Sequence, residues 1–284
     1  MEQIKTIAEM QDLSRLWQKS GHQVAVVPTM GALHEGHLSL IRIARQYAQK
    51  VIVTIFVNPT QFGEGEDFDA YPRPLEEDMK LCDAENADVI FTPSASEMYP
   101  SDSSTWVEET QVGLGLCGGS RPGHFRGVTT IVSKLFLATL PDFAVFGEKD
   151  FQQLAVIRRL VRDLNFPVKI IGAPLVREND GLALSSRNRY LSAIERVNAL
   201  SLSKSLHFAL NKIREDRGIK PKIVIDQMKE IIISGGGDPD YVEIVNAEDL
   251  SRVHSFEKPV NLRVLAAAVY GPARLIDNMG LELA

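Results

Sequence analysis

His34 and His37 stand three residues apart in the segment VPTMGALHEGH at 27–37, which leaves a short valine-rich run and enters a helical pattern. A helix start offers backbone N–H groups that lack intrahelical partners. With the helix dipole they favour anionic groups such as phosphates. Gly31 and Gly36 are placed to let the backbone turn tightly and approach a ligand, and two imidazoles there can donate hydrogen bonds to phosphate oxygens. The same pair also suits an ordinary helix start with no ligand. A zinc site fits poorly, because H-E-x-x-H needs the second histidine four residues on and here the interval is three.

Further polar groups cluster at the ends of other strand-like runs. FVNPTQF at 56–62 offers Asn58 and Gln61, and the Gln61 amide has two donors and one acceptor for a substrate bearing hydroxyl and carboxylate groups. A loop amide facing water would read the same. GEKDFQQ at 147–153 supplies Lys149 as a compact positive charge for an α- or β-phosphate, while Asp150 with Gln153 also reads as a helix N-cap with a reciprocal amide. SSRN at 185–188 groups two hydroxyls with a guanidinium, either a phosphate clamp or a solvated turn. RPGHFRG at 121–127 precedes a helical pattern and suits an anion, a mobile lid or simple connection.

The elements that must position these groups alternate. Residues 3–20 predict an amphipathic helix, Val24 to Val27 a buried strand, 38–50 a helix with Leu40, Ile43, Ala44 and Tyr47 at helical spacing, and Val51 to Val57 a second strand. Pro74 begins a helix through Asn86, and Ala87 to Thr92 is a third strand. A helix over 128–140, a strand over Phe143 to Phe146, a helix from Asp150 to Leu164 and a strand over Val168 to Ile171 complete the pattern. Such alternation predicts an α/β fold with a Rossmann-like, doubly wound parallel sheet, in which ligands bind at the carboxyl ends of the strands. After residue 175 the pattern changes. Ser192 to Glu195 forms a capping box, a further helix follows Pro221 and stops at Gly235 to Gly237, and strand-like runs cover Tyr241 to Val245 and Leu262 to Val269. We therefore expect a nucleotide-binding domain over 1–175 and a smaller α+β domain over 176–284.

Length and composition set the limits. The chain has 284 residues, 44% hydrophobic and 24% charged, the balance of a soluble globular protein that needs no staple. Its formal net charge of −6 argues against nucleic acid as a partner. Cys82 and Cys117 form no CxxC pattern and read as reduced thiols of a cytosolic protein. No apolar leader or membrane-length run is present, so a cytoplasmic protein without a membrane partner is expected.

His34-Glu35-Gly36-His37 has the His-x-Gly-His form and resembles the nucleotide-binding signature of nucleotidylyltransferases and class I aminoacyl-tRNA synthetases. PTMGALHEGH at 28–37, IFVNPTQF at 55–62, RPGHFRGV at 121–128, FGEKDFQQL at 146–154 and DGLALSSRNRYL at 180–191 together resemble the pantothenate synthetase family closely. Asp240-Tyr241-Val242 and Ala273 to Asn278 resemble it too. The resemblance implies that pantoate is activated by ATP with Mg²⁺ as pantoyl adenylate and then joined to β-alanine, releasing AMP. It implies ATP contacts from Met30, Gly31, Ala32, Leu33, His34, Glu35, Gly36, His37, Gly147, Glu148, Lys149, Asp150, Val176, Leu184, Ser185, Ser186 and Arg187. It also implies pantoate held by Gln61 and Gln153, with Gln61 near β-alanine, and His37 as proton donor. His34, Lys149, Ser185, Ser186 and Arg187 are the other groups expected to serve the chemistry, with Mg²⁺ bound through ATP. A homodimer and a C-terminal lid domain are implied likewise. A nucleotidylyltransferase making a stable nucleotide product, and a non-catalytic nucleotide-binding regulator, are the competing readings.

Overall fold

A computed structural model describes residues 1–283. In chain order the elements are β1 (Glu2–Ile4), α1 (Ile7–Lys19), β2 (Val24–Thr29), α2 (Glu35–Tyr47), β3 (Lys50–Ile55), α3 (Leu75–Ala84) and β4 (Val89–Phe91). Two short helices follow, α4 (Ala95–Met98) and α5 (Cys117–Ser120), then α6 (His124–Thr139), β5 (Phe143–Gly147), α7 (Phe151–Asp163) and β6 (Lys169–Ala173). The remainder comprises α8 (Ala193–Glu215), α9 (Pro221–Ser234), β7 (Asp238–Asn246), β8 (Val260–Tyr270) and β9 (Ala273–Leu283). The chain divides into two compact units, Met1–Glu148 with Val156–Pro174, and Lys149–Ala155 with the chain from Leu175 onward.

In the first unit six parallel strands form one sheet in the order β1-β4-β3-β2-β5-β6. Strand order reverses between β2 and β5, which makes the carboxyl ends of those two strands the switch point of the sheet. The central strands are apolar on both faces because helices cover both. Val24, Ala25, Val26 and Val27 are fully buried, as are Val51, Ile52 and Val53. Each fully buried valine or isoleucine contributes roughly 1.5–3 kcal/mol relative to leaving it in water. Helix α2 packs on β2, β3 and β5 through Leu40, Ile41 and Ala44, and α1 lies along α6.

The one-piece helix expected over 3–20 is corrected by the structure. Glu2–Ile4 forms an edge strand parallel to β4, and α1 begins only after Thr6, whose side chain accepts from the Glu9 N–H. The strand is three residues long and only Ile4 is buried, so its apolar signal merges with that of the helix behind it.

The second unit has a three-stranded antiparallel meander, β7-β8-β9, backed by α8 and α9. Leu202, Leu206, Met228, Ile232, Val264 and Ala266 meet in its core. The expected capping box is present, with the Glu195 N–H donating to Ser192 Oγ at 3.3 Å and the Ser192 N–H to Glu195 Oε2 at 2.7 Å. Pro221 opens α9 as expected. β9 is an addition to the two strands read from the sequence. Its alternation is broken at Asp277 and Asn278, both only 3% exposed: Asp277 takes a position on the face that Leu275 and Leu281 fill, and Asn278 is buried on the opposite face, which carries Arg274 and Glu282.

Candidate active site

Residues 30–37 follow β2 and run into α2. Gly31 and Ala32 both have positive φ, 82° and 51°, a conformation that a residue with a side chain adopts rarely. The turn is held open by the buried Asp78 of α3, which accepts the Ala32 N–H at 2.9 Å and the Leu33 N–H at 2.7 Å. Glycine is required at 31 twice over. Its φ is left-handed, and a Cβ there would lie 2.9 Å from Asp78 Oδ2 and 3.1 Å from Ile55 Cγ2. Gly36 sits inside the first turn of α2, so the tight turn belongs to Gly31.

His34 is the N-cap of α2. Its Nδ1 accepts the Gly36 N–H at 3.2 Å, while the His34 N–H donates to His37 Nδ1 at 3.3 Å. The two histidines thus form a reciprocal capping box, with ring centroids 4.1 Å apart. An Nδ1 that accepts has no proton, so each neutral ring carries its proton on Nε2 and has an N–H to donate there. The sequence offered a choice between helix-start residues and phosphate donors, and this geometry makes the same two rings fit both roles. Glu35, by contrast, is exposed and paired with Arg42, which holds its carboxyl below the usual carboxylate range.

Gln61 is fixed from several sides within the first unit. The buried Asn58 donates from Nδ2 to Gln61 Oε1 at 3.0 Å and to the Gly127 carbonyl at 3.2 Å, and its Oδ1 accepts from Tyr99 Oη at 2.9 Å. Gln61 Nε2 points to Met30 Sδ at 3.1 Å. His124 Nδ1 lies 2.8 Å from the Gln61 carbonyl, and its Nε2 lies 3.1 Å from Arg121 Nη1. Arg121 is paired with Glu66 at 2.5 Å. Burial pushes the Glu66 carboxyl up, but the Arg121 guanidinium outweighs it and holds Glu66 below its usual range. Helix α6 meets this turn backbone to backbone, since a Cβ on Gly127 would lie 2.3 Å from the Thr60 carbonyl oxygen.

In the second unit, Lys149 Nζ lies 3.5 Å from Asp150 Oδ2, and Gln153 is half-buried on the first turn of α7. Val176 and Leu184 are joined by the Leu184 N–H donating to the Val176 carbonyl at 3.0 Å. Ser185 caps the short 3-10 turn Ser186–Tyr190, its Oγ accepting the Arg187 N–H at 3.3 Å. Each unit therefore gathers its own share of the residues singled out from sequence. Met30, His34, His37 and Gln61 lie in the first, and Lys149, Gln153, Val176 and Leu184 to Arg187 in the second. Asp78, Arg177, Asp277 and Asn278 were not singled out for chemistry. The available signal at Asp78 is an acid on the buried face of a helix, one turn before the buried Cys82.

Comparison with known proteins decides the family. A model of pantoate-beta-alanine ligase matches residues 2–280. The chain belongs to the pantoate-beta-alanine ligase family. It is 52% identical to the pantothenate synthetase of Thermotoga petrophila, over 98% of this chain and 99% of the relative. The crystal structure of pantothenate synthetase from Thermus thermophilus superposes with a TM-score of 0.90 at 41% identity, covering 98% of this chain and 99% of that one. The pantoate-beta-alanine ligase of Francisella tularensis, complexed with beta-gamma ATP and beta-alanine, matches with a TM-score of 0.80 at 34% identity, covering 98% and 97%. Both the six-stranded sheet and the three-stranded meander are thus those of a pantoate-beta-alanine ligase.

Proposed function

We propose that this ligase works in two steps, with ATP as co-substrate. In the first, a pantoate carboxylate oxygen attacks the α-phosphorus of ATP, and pyrophosphate leaves with the electron pair of the broken P–O bond. In the second, the β-alanine amine attacks the acyl carbon of the adenylate, AMP leaves, and the nitrogen loses a proton. Adenylation is needed because a free carboxylate would have to expel oxide, whereas the mixed anhydride expels a stable phosphate.

The observation that carries this reading is the reciprocal histidine cap. It fixes both rings in the tautomer that offers Nε2–H at the start of α2, where phosphate oxygens are favoured. In this reading His34 and His37 stabilise charge building on the pyrophosphate oxygens, each as a hydrogen-bond donor through Nε2–H. Lys149, Ser185, Ser186 and Arg187 contribute further donors, and Met30 to Leu33, Glu35, Gly36, Gly147, Glu148, Asp150, Val176 and Leu184 complete the ATP contacts. Preorganised donors of this kind act without reorganising during the reaction. Gln61 and Gln153 hold pantoate, Gln61 also lies next to β-alanine, and alignment of the reactants contributes up to ~7–11 kcal/mol.

Among the described residues no group of three or more His, Cys, Asp or Glu side chains is arranged to hold a metal ion. Mg²⁺ is carried on the ATP phosphates in this reading, where it would neutralise charge. The domain over 1–175 binds the nucleotide and pantoate, and the domain over 176–284 serves as the lid. A cytoplasmic homodimer completes the proposal. No described helix is long and apolar enough to cross a membrane.

The deciding assay measures AMP release with ATP and pantoate, with and without β-alanine. We expect release to rise in step with amide formation once β-alanine is present. Indifference to the amine would favour a nucleotidylyltransferase, and absence of pantoate-dependent pyrophosphate exchange would favour a nucleotide-binding regulator.

A further inference from the structure

Asp277 and Asn278 are both buried in β9 of the second unit, and burying a carboxylate and an amide there is unfavourable unless every polar atom is matched. Asp277 is matched by Arg177, which donates from Nη1 to Oδ2 at 2.7 Å and from Nη2 to Oδ1 at 2.8 Å. The same guanidinium donates to the Gly181 carbonyl at 2.9 Å, and Arg177 pairs with Ala183 in an antiparallel bridge. The Val176–Leu184 loop is therefore closed on itself and anchored to β9 through the Asp277 carboxylate and, at 3.5 Å from Arg177 Nη2, the Asn278 carbonyl. Asn278 completes the arrangement. Its backbone N–H donates to Asp277 Oδ1 at 2.7 Å, and its Nδ2 donates to the Lys149 carbonyl at 2.9 Å. Its Oδ1 accepts from Arg263 Nε at 2.6 Å, and that guanidinium lies 4.0 Å over the Phe151 ring, two residues beyond Lys149.

We propose that Asp277 and Asn278 are positioning residues for adenylate formation, holding the Lys149–Asp150 turn and the Val176–Arg187 segment in fixed register from one strand. The proposal rests on the reading above of Lys149 and Ser185 to Arg187 as phosphate-contacting groups. Several features support it. The two segments are far apart in sequence, yet adjacent residues of β9 bind both. Asn278 grips the main chain of Lys149, which fixes where the side chain starts while leaving the ammonium to other partners. Burial pushes the Asp277 carboxyl up, against the pull of the Arg177 guanidinium and the Asn278 N–H.

The test is a double-mutant cycle in the full chain, read by pantoate-dependent ATP–pyrophosphate exchange. Asn278→Ala should lower the turnover of exchange ~10–100-fold, as for a misplaced catalytic group, with KM for pantoate unchanged. In a Lys149→Ala background the same substitution should cause no further loss. Asn278→Asp keeps an acceptor for Arg263 but offers no donor to the Lys149 carbonyl, so it should lose turnover as Asn278→Ala does. It also serves if the alanine variant fails to fold. Equal losses from Asn278 substitution in the presence and absence of Lys149 would overturn the proposal alone. Unchanged exchange in Lys149→Ala itself would overturn the reading of Lys149 and the proposal with it.

Discussion

Between Met30 and His37 nearly every restraint is local. His34 and His37 cap each other across three residues, while Asp78 reaches in from a neighbouring helix and Gln61 meets Met30. At Lys149 the restraint arrives from a residue 129 positions away, through a strand whose own buried charge has to be neutralised by Arg177. The first arrangement is made mostly from backbone N–H groups, the second from side chains in a buried polar network. A turn of the first kind depends on φ values and caps. A turn of the second kind depends on tertiary structure being complete before the lysine is placed.

The largest expected effect strikes the second arrangement. Arg177→Ala leaves the Asp277 carboxylate buried without its main partner and should destabilise the second unit by ~3–5 kcal/mol, read from denaturant unfolding. Replacement of both residues by a well-packed apolar pair should recover most of that loss. If Arg177→Ala is as stable as the parent, the contrast between the two regions collapses.

At the chemical level the regions should look alike. His37→Ala and Lys149→Ala should each cut adenylate formation by a factor of ~10²–10³, with far-ultraviolet circular dichroism unchanged. Near-normal turnover in both variants would remove these roles.

The most local effect concerns the clamp on the first turn. Asp78→Ala removes the acceptor of two buried N–H groups, and leaving such a donor unmatched costs ~1–3 kcal/mol. Gly31 and Ala32, freed to leave their left-handed conformations, should then show faster amide hydrogen exchange at Ala32 and Leu33. Unaltered exchange there would mean the turn holds itself.

This contrast also explains what the sequence disclosed. Valine runs at 24–27 and 51–57 marked two of the central strands, because such runs are local signals, although β2 continues through Pro28 to Thr29 and β3 ends at Ile55. The Ser192 capping box was legible for the same reason. Strand β1 was hidden by its length, and β9 by a carboxylate at a position where alternation calls for an apolar group. His34 and His37 stood out by spacing, whereas Asp78 and Asn278 did not, since an acid in a helix and an amide in a strand acquire meaning only from partners that folding brings to them. The polar residues at Asn58 and Arg121 to His124 were visible as loop chemistry, but their convergence on the Gln61 amide and carbonyl was not.

Gly127 carries a consequence for which residues its position can accept. One hydrogen atom there is all that separates the axis of α6 from the peptide beneath Gln61. The contact at this spot is therefore main chain against main chain, and any side chain at 127 would have to push the two apart.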